Sequence, residues 1–127
     1  MQPMIFPNLP VRDVAESKEF WTRLGFGFNS EFSSDEAAGL VINDSASVML
    51  LAEEFFHGFH DTTPHTGTQV LMGLGVGSRE EVDRLCEAAV AAGGTAGETR
   101  SEAGPTYGGS FTDLDGHIWE PLWMAID

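Results

Sequence analysis

Glu120 is the first residue to suggest chemistry. It stands in Ile118-Trp119-Glu120-Pro121-Leu122-Trp123-Met124. Strand alternation puts Ile118, Glu120, Leu122 and Met124 on one face, and Trp119 and Trp123 on the other. A carboxylate among apolar neighbours is costly unless it is paired or protonated. Glu120 is therefore either an acid, base or ligand-anchoring group with Leu122 beside it, or a structural carboxylate bonded to a strand neighbour. His57 and His60, with Asp61, form His-x-x-His-Asp, and His65 follows. Two histidines three apart can hold a metal, but the spacing is weakly specific and a loop offers no supporting shell. His117 falls in a turn, where solvation or a turn bond accounts for it. Cys86 falls on an apolar helix face and reads as a packed thiol rather than a nucleophile. Phe55, Phe56 and Phe59 are three aromatics in five residues. They cap a cleft, pack inward or meet a second subunit.

Two helices and a set of strands must position these groups. One helix follows Asp13, with Glu16 three residues on in a capping-box arrangement, and stops at Gly25. The other starts at Ser78, with Glu81 in the matching place, and ends at Gly93-Gly94. Ile5–Val11, Phe26–Phe32, Ala38–Ile42, Ser47–Ala52, Thr95–Thr99, Ser110–Thr112 and His117–Met124 read as strands. Asn43-Asp44-Ser45 and Asp113-Leu114-Asp115-Gly116 are hairpin turns between them. Residues 54–68 read as a long loop, and the Gly104-Pro105 step bends another. The order is β-α-β-β-β twice, with the two hairpins in step at an offset of 70 residues, Val41-Ile42-Asn43 over Phe111-Thr112-Asp113. The expected fold is α+β: two tandem βαβββ modules, about 4–53 and 68–125 with a linker of about 54–67, forming a curved mixed sheet around a cleft in one domain.

Composition limits the partners. The chain has 127 residues, 42 % hydrophobic and 20 % charged, as in an ordinary globular domain. Twenty acidic residues against six basic ones give a net charge of −14, which opposes nucleic acid and anionic membrane surfaces as partners. A lone cysteine fits a reducing compartment. No run approaches the ~18 apolar residues of a membrane span. The first residues carry no basic charge ahead of their apolar stretch, so a cytoplasmic location is expected.

Asn8-Leu9-Pro10-Val11-Arg12-Asp13, Phe20-Trp21 and Leu24-Gly25-Phe26 resemble the N-terminal signature of the vicinal oxygen chelate superfamily, and Phe111 to Glu120 resembles its second signature. That superfamily includes glyoxalase I, bleomycin-resistance proteins and extradiol dioxygenases. The resemblance covers nearly the whole chain. It is nearest to the predicted lactoylglutathione lyase-related group, which shares Asn8–Val11, Glu53–Phe56 and Gly116–Glu120. Metal-using members hold a divalent ion with ligands from the first and last strands of each module, for Lewis-acid catalysis with a carboxylate base. The resemblance places those ligand positions on Phe6, Leu50, Gln69 (or Leu71 in another register) and Glu120. Phe6 and Leu50 are inert and Gln69 is marginal, so only Glu120 is a good ligand where about three are needed. The usual metal site is therefore expected to be degraded, and no cofactor is implied. A divalent metal enters only through a rearranged site of Glu120, Gln69 and a loop histidine. In similar proteins the segment around Tyr107 borders the cleft, which makes Tyr107 a ligand contact or an ordinary loop aromatic. Asn8 shares a strand face with Phe6, and either lines the cleft or bonds the backbone.

Two functions remain open. One is a lyase or isomerase on a small oxygenated or thiol-conjugated substrate, with Glu120 catalytic and Phe6, Asn8, Leu50, Gln69, Tyr107 and Leu122 contacting the ligand. The other is a non-catalytic protein that binds a cationic or aromatic, antibiotic-like small molecule, to which the −14 charge would be attractive. The resemblance also implies a homodimer, with the Phe-rich loop, Trp119 and Trp123 as surfaces for it.

Overall fold

The computed structural model describes residues 3–60, 62, 67–101 and 106–125. Asp61, His65 and the Gly104-Pro105 step lie outside them. The chain divides into two compact units, Met1–His65 and Thr66–Asp127.

The first unit runs β1 (Asn8–Val11), α1 (Val14–Arg23), β2 (Gly27–Asn29), β3 (Ala37–Asn43), β4 (Ala46–Ala52) and a short α2 (Glu53–His57). Asp13 caps α1 by accepting the Glu16 N–H at 3.0 Å, so the capping pattern has its expected effect. Phe20, Trp21 and Leu24 are buried, and Trp21 meets both Phe20 and Phe26 edge to face at 5.3 Å. Each such side chain contributes about 1.5–3 kcal/mol on burial. Gly25 leaves the helix at φ 99°, a conformation that an L side chain resists. The sheet order is β1-β4-β3-β2, with β1 parallel to β4 and the other pairs antiparallel.

The second unit repeats this plan: β5 (Leu71–Gly75), α3 (Arg79–Ala91), β6 (Thr95–Ser101), β7 (Thr106–Thr112) and β8 (Ile118–Met124). Its sheet order is β5-β8-β7-β6, with β5 parallel to β8. Ser78 caps α3 through the Glu81 N–H at 3.1 Å. Val82, Leu85 and Ala89 bury their side chains, and α3 packs on β6, β7 and β8 with Phe111 and Trp119 beneath it. The fold is thus the expected α+β arrangement of two tandem βαβββ modules.

Three local differences from the sequence reading have physical causes. Residues 54–57, expected as loop, are helical within α2: Glu53 and Glu54 lie in the first turn, where acidic groups suit the positive end, and Gly58 ends the helix. Strand β2 is only three residues long, because the Asn29 side chain accepts the Glu31 N–H at 2.9 Å and turns the chain into one 3-10 turn over Ser30–Phe32. Strand β7 begins at Thr106, not Ser110, so Tyr107 and Gly108-Gly109 lie within a strand. Glycine lowers strand preference and hides such a segment from pattern reading.

Candidate functional site

The turn before β8 sets the position of Glu120. Asp113 is buried, and its Oδ1 accepts the backbone N–H of Asp115 at 2.9 Å and of His117 at 3.0 Å. Its Oδ2 accepts Trp119 Nε1–H at 2.9 Å. Gly116 completes the turn at φ 85°. Burial pushes the Asp113 carboxyl up, while the Trp119 bond, the nearby His117 and the two backbone N–H groups pull it back down. Trp119 is fully buried on the α3 side, so it presents no surface to a second subunit, contrary to expectation. The next residue, Glu120, must face the other way.

On that other face the second unit has a cavity of about 480 Å³, lined by Glu120, Glu98, Ser110, Leu71, Leu122 and Met124 among others. Parallel pairing sets Leu71 beside Ile118, Gly73 beside Glu120 and Gly75 beside Leu122. Gly108 lies across from Leu122 on the other side. Side chains of paired residues share a face, so Glu120 has glycine next to it on β5. Among the described residues the lining carries two carboxylates and no Lys, Arg or His.

Glu98 reaches this face through a bulge. The β6–β7 register shifts between Ala96, opposite Phe111, and Thr99, opposite Gly109. Two residues, Gly97 and Glu98, therefore oppose one, Ser110. Ser110 Oγ locks the bulge by accepting the Glu98 N–H at 3.1 Å. A Cβ on Gly97 would lie 2.1 Å from that oxygen, so only glycine fits. A register shift leaves no mark in a sequence pattern, and Glu98 and Ser110 were not among the expected site residues.

The expected site residues are divided between the units. Glu120 and Leu122 line the cavity in the second unit. Gln69 is exposed in the segment before β5 and is not part of the lining. Tyr107 belongs to the α3 side: its hydroxyl donates to Asp83 Oδ1 at 2.6 Å, and the acceptor pushes its pKa up. The Arg79 guanidinium lies 5.5 Å from the Tyr107 ring and 5.1 Å from the Trp123 ring, so this cluster fastens the start of α3 to the sheet. Cys86 is half-buried beside it, and burial, then Asp83 and Glu87, push the thiol up, away from nucleophile behaviour.

In the first unit Leu50 is 1 % exposed in the core, which corrects its placement as a ligand contact. The register sets Asn8 beside Met49 and Leu9 beside Leu50, so Met49 shares the face of Asn8. Phe6 is 53 % exposed, and its carbonyl accepts the Asn8 side-chain amide at 3.1 Å. Phe55 and Phe59 meet edge to face at 5.2 Å, both exposed, while Phe56 contacts His57 and His60.

Residues 4–120 match the sequence pattern of the Glyoxalase/Bleomycin resistance protein/Dioxygenase superfamily. The chain belongs to this superfamily. Among solved structures it is similar to a hypothetical protein from S. aureus, at 33 % identity and a TM-score of 0.82, with 97 % of this chain and 94 % of that one covered. A glyoxalase-related enzyme from Fulvimarina pelagi has 21 % identity and a TM-score of 0.83, covering 97 % and 88 %. A lactoylglutathione lyase from Agrobacterium tumefaciens has 11 % identity and a TM-score of 0.70, covering 97 % and 94 %. The last two likenesses bear on fold alone. No curated protein matches the sequence.

The superfamily implies a divalent metal in some members, and the described residues at the expected ligand positions do not fit one. Phe6, Met49, Leu50 and Leu71 offer no oxygen or nitrogen donor from their side chains, and Gln69 lies outside the cavity lining. Among the described residues no group of three or more His, Cys, Asp and Glu is placed to hold an ion. His57 and His60 stack edge to face at 5.6 Å, and His60 Nδ1 is 2.9 Å from Thr62 Oγ1. Among the described residues no helix is long and apolar enough to cross a membrane.

Proposed function

We propose that this superfamily member is a small-molecule binding protein whose second-unit cavity takes an organic cation, with Glu120 as its principal counter-charge and Glu98 as a second. The observation that carries this reading is the lining itself: among the described residues it has two carboxylates, hydroxyls and apolar side chains, with no cationic residue. An apolar wall repels water and strengthens attraction between the carboxylates and a bound cation. A volume of about 480 Å³ suits a molecule of drug size. The net charge of −14 draws such a guest from a distance.

Titration calorimetry with proflavine and amantadine, two organic cations of different shape, tests the reading. Wild type is expected to bind at least one of them, and Glu120→Gln to weaken that binding by about tenfold, near 1.4 kcal/mol. Binding of the same strength in Glu120→Gln, or no binding of either cation, defeats the proposal.

A second reading, a lyase or isomerase on a small oxygenated or thiol-conjugated substrate, is favoured by one observation. Glu120 keeps the carboxylate of the second signature and faces the cavity, where it could remove a proton. Among the described residues the lining supplies no cationic side chain to stabilise the resulting oxyanion. Turnover of the hemithioacetal of methylglyoxal, lost in Glu120→Gln, would favour this reading over the first.

A further inference from the structure

We infer that the cavity is built for a flat cation that lies against bare strand backbone at Gly73 and Gly75, and that these two glycines set its shape specificity. The inference rests on the cation-site reading above and narrows it. Glycine inside a strand weakens it by about 0.5–1 kcal/mol relative to alanine, so each one needs a reason. At two other strand glycines of this unit the fold supplies one. A Cβ on Gly109 would sit 2.9 Å from Cys86 Sγ, and one on Gly97 would collide with Ser110. Gly93 and Gly116 have positive φ.

Gly73 and Gly75 have neither reason. Their φ angles are not positive, and a Cβ on either would meet nothing within 4 Å. The fold tolerates a side chain at both places, and a side chain there would project into the cavity beside Glu120 and Leu122. What the glycines leave is a strip of exposed peptide. Residues two apart on a strand are about 6.6 Å apart, and neighbouring strands about 4.8 Å. A fused planar ring system has those dimensions. Leu71 at one end and Leu122 beside Gly75, both exposed, supply apolar edges, and Glu120 adjoins the strip at Gly73. A compact or branched cation gains nothing from a flat floor, whereas a planar one gains contact over its whole face.

The test uses three probes on the full chain: proflavine (planar cation), amantadine (compact cage cation) and 9-anthracenecarboxylate (planar anion). Affinities are read by calorimetry, and folding by the thermal midpoint. Proflavine is expected to bind wild type at least about tenfold tighter than amantadine, with 9-anthracenecarboxylate weakest. Gly73→Val and Gly75→Val are expected to keep or raise the thermal midpoint while lowering proflavine affinity by about tenfold or more. If the valines disturb folding, Gly73→Ala adds one methyl group into open space and is expected to weaken proflavine more than amantadine. Cation binding that depends on Glu120 but is indifferent to shape, or to the substitutions at 73 and 75, overturns the flat-ligand inference and leaves the cation site standing. No cation binding at all overturns both.

Discussion

The two carboxylate oxygens of Asp113 accept three N–H groups, two from the turn and one from the Trp119 indole. That network fixes where β8 begins and so which face receives Glu120. Trp119→Phe keeps an aromatic in the core but leaves a buried acceptor oxygen without its side-chain donor. A loss of about 1–3 kcal/mol in urea unfolding is expected. A change below about 0.5 kcal/mol would mean that the indole bond is dispensable to the turn. In the sequence, Glu120 stood out because a carboxylate is anomalous among Ile118, Leu122 and two tryptophans. Asp113 was legible only as part of a turn, because nothing in Asp-Leu-Asp-Gly says that one of its carboxylates reaches six residues ahead.

The strands and helices differ in how plainly they are written. The capping pairs Asp13/Glu16 and Ser78/Glu81 marked both long helices, and each acts as a cap through its N–H bond. The hairpins marked the repeat. The glycine-bearing strands were obscure, because glycine serves opposite purposes on opposite faces of one sheet. Gly109 faces α3, where Cys86 Sγ and Val82 Cγ1 would lie 2.9 Å and 3.3 Å from a new Cβ. Gly109→Ala should therefore overpack this contact and cost about 1–3 kcal/mol by denaturant unfolding. Adding Cys86→Ala should recover much of that loss, and a double variant no more stable than Gly109→Ala would place the strain elsewhere. Leu50 shows the same limit in another form. A one-residue uncertainty in register exchanges a cavity face for a core, and only the pairing of Asn8 with Met49 resolves it.

At the scale of the molecule, the charge of −14 is both an attraction for cations and a burden on the fold. Like charges spread over a small surface repel one another, and salt relieves this. Between about 10 mM and 150 mM salt the screening length falls from roughly 30 Å to roughly 8 Å. The thermal midpoint at pH 7 should rise by several degrees over that range, and a fall would show that favourable ion pairs such as Glu19–Arg23 outweigh the repulsion. The same change should weaken binding of organic cations, so stability and affinity are set against each other by the same ions. The bulge at Gly97 and Glu98 has a consequence for ancestry. Deleting the single codon for Gly97 would restore simple alternation, with Ala96, Glu98 and Thr99 opposite Phe111, Ser110 and Gly109, and would leave Glu98 on the cavity side. The extra residue can therefore vanish from a lineage by a change in length while the second acid of the cavity stays.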